Sequence, residues 1–203
     1  MNICVYGASS KSIDEKYIAA GEALGEELAK RGHTLVFGGG AHGMMGAVAR
    51  GVKKGGGRVI GVAPSFFNVD GVLFDKCDEF IYTETMRERK QIMEDRSDAF
   101  IASPGGVGTF EEFFEIVTLK QLGRHSKPVA LFNVNGYYNG IRDMFERAVK
   151  ESFMTEGCLS LFCMTEKVGE VMDYLEGYKD EEVDLTTFKD IWELKEGTVK
   201  TNG

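Results

Sequence analysis

The chain has 203 residues, 43% of them hydrophobic and 28% charged, with a formal net charge of -8 at pH 7. That length suits one α/β domain with a real core, and the balance is that of a globular protein rather than a disordered one. The acidic charge speaks against non-specific DNA or RNA binding, which needs a basic surface, and no apolar run approaches the roughly 20 residues that span a bilayer. An anionic small molecule stays compatible with it, because a local ring of backbone N–H groups holds an anion even inside an acidic protein. No cationic stretch precedes Ile3–Tyr6, so no secretory leader is expected and the expected compartment is the cytoplasm.

Short β-rich runs alternate with helical patterns. The expected strands are Ile3–Tyr6, Thr34–Phe37, Arg58–Val62, Glu79–Thr83, Ala99–Ser103, Pro128–Val134 and Leu159–Met164. Several are continuous apolar runs, the pattern of strands covered on both faces. Helical segments lie between them near 14–31, 43–54, 86–97, 109–122, 138–151 and 167–177. This order predicts a single α/β domain over residues 1–177. It is a Rossmann-like, doubly wound parallel sheet of about seven strands with helices on both faces. Right-handed crossovers then put the loops that follow the strands along one ligand-binding edge. Pro64–Lys76 is the longest irregular stretch and reads as a lid or rim loop. Residues 178–203 read as an acidic surface appendage, in which Phe188, Ile191, Trp192 and Leu194 could form a short docking helix.

Cys4, Cys77, Cys158 and Cys163 are scattered without a C-x-x-C pair and read as small hydrophobes. No two of the three histidines share an H-x-x-x-H spacing. No metal site is expected, and no cofactor.

Three strands end in glycine- or serine-rich turns: Gly7-Ala8-Ser9-Ser10, Gly38-Gly39-Gly40 and Pro104-Gly105-Gly106-Val107-Gly108-Thr109. At one sheet edge they would let a ligand approach the backbone, with Ser9, Gly39 and Gly40 as candidate contacts. The third turn opens a helix whose Phe110, Phe113, Phe114 and Val117 make an apolar stripe. Freed N–H groups and the positive helix end together make a phosphate cradle. It is neither a Walker loop nor the dinucleotide G-x-G-x-x-G, which weakens an NAD-dependent oxidoreductase reading. Glu111 and Glu112 are expected in the first turn of that helix. They either answer its dipole or, Glu112 above all, face a sugar attached to the phosphate; Glu112 lies opposite the phenylalanine stripe and need not be buried.

In Met86-Arg87-Glu88-Arg89-Lys90, residues Met86, Arg89, Lys90 and Met93 share one helical face. Cations on an apolar face either snorkel around its edge or meet an anionic partner, since burying one alone is expensive. Glu112 is the expected partner.

Met86-x-x-Arg89-Lys90 followed by Pro104-Gly-Gly-x-Gly-Thr109-x-x-Glu112 resembles the paired signature of the LOG cytokinin riboside 5′-monophosphate phosphoribohydrolases, whose relatives were long labelled lysine decarboxylase-like. Gly38-Gly39-Gly40-Ala-His-Gly43-Met-Met-Gly46, Asp98-Ala99-Phe100-Ile101 and Lys127-Pro128-Val129 extend the likeness over residues 2–177. Nothing in the chain indicates a pyridoxal-phosphate lysine. The resemblance implies hydrolysis of a purine nucleoside 5′-monophosphate at C1′, with Arg89 and Glu112 as the catalytic pair. It further implies Lys90, Gly105, Gly106, Val107, Gly108, Thr109, Glu111 and Thr118 as nucleotide contacts, with Met86 walling the cleft. A homodimer whose helices complete each other's cleft is implied too. The loop Pro64-Ser65-Phe66-Phe67 departs from plant members, which carry a ligand-contacting acidic residue near Phe66, so the base preference stays open. The rival is a non-catalytic carrier of a phosphorylated ligand such as molybdenum cofactor, which needs the cradle but not the Arg89–Glu112 pair.

Overall fold

The computed structural model describes residues 1–179. Seven strands form one parallel sheet: β1 (Asn2–Tyr6), β2 (Thr34–Phe37), β3 (Arg58–Pro64), β4 (Glu79–Thr83), β5 (Ala99–Ala102), β6 (Val129–Phe132) and β7 (Cys163–Thr165). Their spatial order is β4-β3-β2-β1-β5-β6-β7. The chain winds outward from β1 to β4, then returns to lay β5 on the free side of β1 with Ile3 opposite Ala99. The order therefore reverses between β1 and β5, where such sheets open a crevice beyond their carboxyl ends.

Both faces of every central strand are buried. Ile3, Val5, Leu35, Phe37, Ile101 and Phe132 pack into one core. The alternate residues Cys4, Tyr6, Val36, Phe100, Ala102 and Leu131 pack into the other. Helices α1 (Glu15–Lys30), α2 (Gly43–Lys54) and α6 (Val168–Gly177) cover the first face. Helices α3 (Met86–Asp95), α4 (Val107–Gln121) and α5 (Asn139–Lys150) cover the second. Period-two burial on both sides explains why the strands read as unbroken apolar runs.

Local chemistry sets the helix starts. Asp14 caps α1 by accepting from Lys16 N–H at 2.9 Å. Thr85 caps α3 by accepting from Glu88 N–H at 3.1 Å, while Glu88 accepts from Glu84 N–H at 2.9 Å. The cap of α4 is Gly106, which has no side chain to offer.

Three expectations need correction. The last strand is only Cys163–Thr165, because Glu156–Ser160 coil into a 3₁₀ turn. There Leu159 is exposed and Cys158 buried, so the apolar letters mark a turn packed on the core rather than a strand. The sixth strand stops at Phe132, before a turn in which Asn135 takes φ 52°. Helix α4 begins two residues early, at Val107, which moves Glu111 and Glu112 into its second turn. Among the described residues no cysteine is in a disulfide; Cys4 and Cys158 are buried and Cys77 and Cys163 half-buried. The appendage expected beyond residue 177, with its docking helix, lies outside the described residues apart from 178 and 179.

Candidate active site

The glycine turns after β1, β2 and β5 do meet at one edge. Around them lies a cleft of about 740 Å³. Gly7 to Lys11 form one wall, Gly38, Gly40 and His42 the next, and Gly106, Gly108 and Thr109 a third. The irregular segment after β3 closes the fourth side through Phe67 and Asp70 to Leu73. That segment is a clamped rim rather than a free lid. Leu73 bridges Gly40, Ala41 N–H donates to the Val72 carbonyl at 2.9 Å, and Phe74 N–H donates to Gly39 at 2.8 Å. His42 Nε2 lies 2.8 Å from the Gly71 carbonyl.

The third wall is the N-terminus of α4. The first N–H groups of a helix have no intrahelical acceptor, and aligned peptide dipoles add partial positive charge. A Cβ placed on Gly106 or Gly108 would meet open space. An anion can therefore come up against bare backbone there, as helix N-termini allow.

Arg89 of α3 and Glu112 of α4 meet at the base of the cleft, with Nη1 2.7 Å from Oε1. Both are buried, Arg89 at 6% exposure and Glu112 at 9%. Arg89 Nε donates to the Val62 carbonyl at 3.2 Å, tying the pair to the end of β3. Glycine at position 38 leaves room for the guanidinium in this position: a Cβ there would lie 1.9 Å from Arg89 Nη2. Burial pushes the Glu112 carboxyl above the ordinary glutamate range, and the adjacent Arg89 charge pulls it only part of the way back. Helical spacing does not predict this burial. Arg89 draws the carboxylate in, as charge burial demands a partner.

The cleft thus brings together Ser9, Gly40, Met86, Arg89, Gly106, Gly108, Thr109 and Glu112 from the sequence reading. The other candidates sit around it. Gly39 lies behind the floor, where a Cβ would meet Phe80 at 2.8 Å, and Gly105 is packed against Thr109 and Ala8. Val107 is 83% exposed. Lys90 pairs with Glu111 and, at 2.8 Å, with Glu115, so these groups bind α3 to α4 beside the cleft. Thr118 is exposed farther along α4. Lys11, His42, Met45, Phe67 and Asp70 line the cleft without having been singled out as contacts. For all but Lys11, which follows the Gly7–Ser10 turn, the signals were the Gly38–Gly46 block and the length of the loop after β3.

The family model described as "Possible lysine decarboxylase" matches residues 45–175. A protein of Oryza sativa subsp. japonica named "Probable cytokinin riboside 5′-monophosphate phosphoribohydrolase" is 40% identical over 173 residues, 85% of this chain and 75% of its own. A cytokinin riboside 5′-monophosphate phosphoribohydrolase of Arabidopsis thaliana is 39% identical over 193 residues, 95% of this chain and 89% of its own. The chain belongs to the LOG family. Among solved structures, the molybdenum cofactor carrier protein of Chlamydomonas reinhardtii superposes with a TM-score of 0.66. It is 24% identical, with 87% of this chain and 96% of that one covered. That likeness is one of fold. Arg89 and Glu112, which the sequence led us to expect as partners, are the pair found at the base of the cleft.

Among the described residues, no group of three or more His, Cys, Asp or Glu is placed to hold a metal ion. No described helix is long and apolar enough to cross a membrane.

Proposed function

We propose that this chain hydrolyses the N-glycosidic bond of a purine nucleoside 5′-monophosphate, an AMP-like or cytokinin ribotide, giving free base and ribose 5-phosphate. The observation that carries this reading is the buried Arg89–Glu112 pair opening onto the same cleft as the bare N-terminus of α4. The names of relatives 39–40% identical over most of both chains support it.

The 5′-phosphate docks on the N–H groups of Gly106 to Thr109, and its binding energy positions the sugar. Glu112, ionised, accepts a proton from a water whose oxygen attacks C1′, or steadies the positive charge that develops on the ribose as the C1′–N bond breaks. The bonding pair leaves with the base, whose nitrogen takes up a proton from solvent while Glu112 returns to solvent any proton that it accepted. Arg89 orients the carboxylate and favours its charged form. Residues 1–177 carry this machinery, and residues 178–203 take no part in it. The active form is a homodimer, for which the exposed Met86 and Val107 beside the cleft supply apolar surface.

A carrier of a phosphorylated ligand is the second reading, favoured by the shared fold of molybdenum cofactor carriers. It leaves a buried ion pair in the cleft without a task. Chromatography of incubations with AMP, isopentenyladenosine monophosphate and adenosine separates the two. Base should be released from the ribotides, with EDTA present or absent, and little from adenosine. Equal turnover of adenosine refutes the phosphate anchor; no turnover of any ribotide moves the assignment to a carrier.

A further inference from the structure

A tyrosine outside the cleft bears on how the phosphate wall is aimed. The turn between β6 and α5 carries Tyr137 and Tyr138 back toward the α4 loop. It is held by Asn133, whose Oδ1 accepts from Tyr138 N–H at 2.6 Å and whose Nδ2 donates to Asn139 at 2.9 Å. Tyr137, 41% exposed, meets two rings edge-on, Tyr17 at 6.0 Å and Tyr138 at 5.0 Å. Its hydroxyl donates to the Gly105 carbonyl at 2.6 Å.

That carbonyl shares a peptide plane with Gly106 N–H, and in a trans peptide the two point in opposite directions. The plane is flanked by glycines on both sides, so no Cβ resists its rotation. Packing of Gly105 against Thr109 and Ala8 limits it, and a hydrogen bond to its carbonyl restrains it further. The neighbouring peptide is already pinned, because Ala8 N–H donates to the Pro104 carbonyl at 3.1 Å. The Gly105–Gly106 peptide is held by the tyrosine.

We propose that Tyr137 is a positioning residue for the phosphate: by fixing the Gly105 carbonyl behind the loop it turns Gly106 N–H toward the cleft and the ligand's anion. This rests on the reading that the α4 N-terminus takes the 5′-phosphate. Tyr138 supplies the contrast. Its hydroxyl donates to the Ser103 carbonyl at 2.7 Å, but the next residue is Pro104, which has no N–H to aim.

The test compares Tyr137→Phe with Tyr138→Phe, both of which keep the rings. Calorimetry with ribose 5-phosphate, steady-state kinetics with AMP, inhibition by adenosine and thermal melts are recorded for each. Loss of an N–H contact to a charged group predicts about a 10-fold weaker ribose 5-phosphate affinity and a matching rise in KM for Tyr137→Phe. Its kcat and its adenosine inhibition should stay near wild type. Tyr138→Phe should melt lower yet bind ribose 5-phosphate within about twofold of wild type, since no donor is re-aimed. Unchanged phosphate affinity in Tyr137→Phe overturns the proposal while leaving the phosphate wall intact. Equal weakening toward adenosine and ribose 5-phosphate, or the same phosphate loss in Tyr138→Phe, also overturns it, because that is general loosening. Wild-type protein that binds no ribose 5-phosphate overturns the phosphate wall itself, and the proposal with it.

Discussion

Arg89→Ala removes the cation that faces a carboxylate only 9% exposed. Two penalties then compete. Keeping Glu112 ionised without a partner costs about 3–5 kcal/mol. Taking up a proton instead costs the gap between the solution pH and the group's ordinary value of 4.5. At pH 7 and roughly 1.36 kcal/mol per unit that is about 3.4 kcal/mol. The smaller penalty sets the ceiling, so Glu112 contributes a loss of at most about 3 kcal/mol at pH 7. At pH 5 the same proton costs about 0.7 kcal/mol, and most of the loss disappears. The Val62 carbonyl also forfeits the Nε donor now 3.2 Å away, a pH-independent loss of about 1 kcal/mol. Thermal melts should therefore fall by no more than roughly 8–16 °C at pH 7 for a chain of this size, and by far less at pH 5. Arg89→Ala/Glu112→Gln removes the titrating group and should recover about 2 kcal/mol over the single variant at pH 7, but almost nothing at pH 5. Turnover of AMP, measured in parallel on folded protein, should be scarcely lower in the double variant than in either single one, as expected of residues that act as a unit. A stability loss equal at both pH values, with no recovery in the double variant, refutes the coupling.

Glu112→Gln keeps shape but not charge, and kcat for AMP should fall by roughly two to four orders of magnitude with little change in AMP affinity by calorimetry; near-normal turnover removes Glu112 from the mechanism. Because burial raises the Glu112 carboxyl, the acid limb of kcat/KM should lie above the ordinary glutamate range, activity rising as pH rises through the folded value. Glu112→Gln should erase that limb and Arg89→Ala should move it to higher pH. The same shift has a stability sign: the folded state binds this proton more tightly than the unfolded chain, so the Glu112 contribution weakens as pH rises from 4.5 through the folded value, a slope that denaturant titrations of wild type and Glu112→Gln should resolve. Gly106→Val puts its Cβ into open cleft, so melting should change little while AMP affinity drops about 10-fold or more by calorimetry; unchanged affinity makes the loop a structural turn only.

The alternation of apolar runs with helical spacing by itself determined a doubly wound parallel sheet, because a strand buried on both faces reads as an unbroken apolar run wherever it later pairs. The glycine turns and the Met86–Lys90 and Pro104–Glu112 signatures likewise marked one ligand edge, since freedom for close backbone approach is written in residue type. Tertiary structure alone decided which strand ends converge: β1 and β5 become neighbours only when the chain returns from β4 across the sheet. It also decided that Glu112 is buried, through a cation from α3 and the space left by Gly38, neither of which helical periodicity records. Lys90 and Glu111 share the same signatures yet pair beside the cleft, because the side of a helix facing a partner depends on how α3 and α4 pack. The start of α4 at Val107 and the early end of β6 escaped the sequence for a related reason. Element ends are set by caps, turns and docking contacts made with distant residues, whereas element interiors are set by local period and burial.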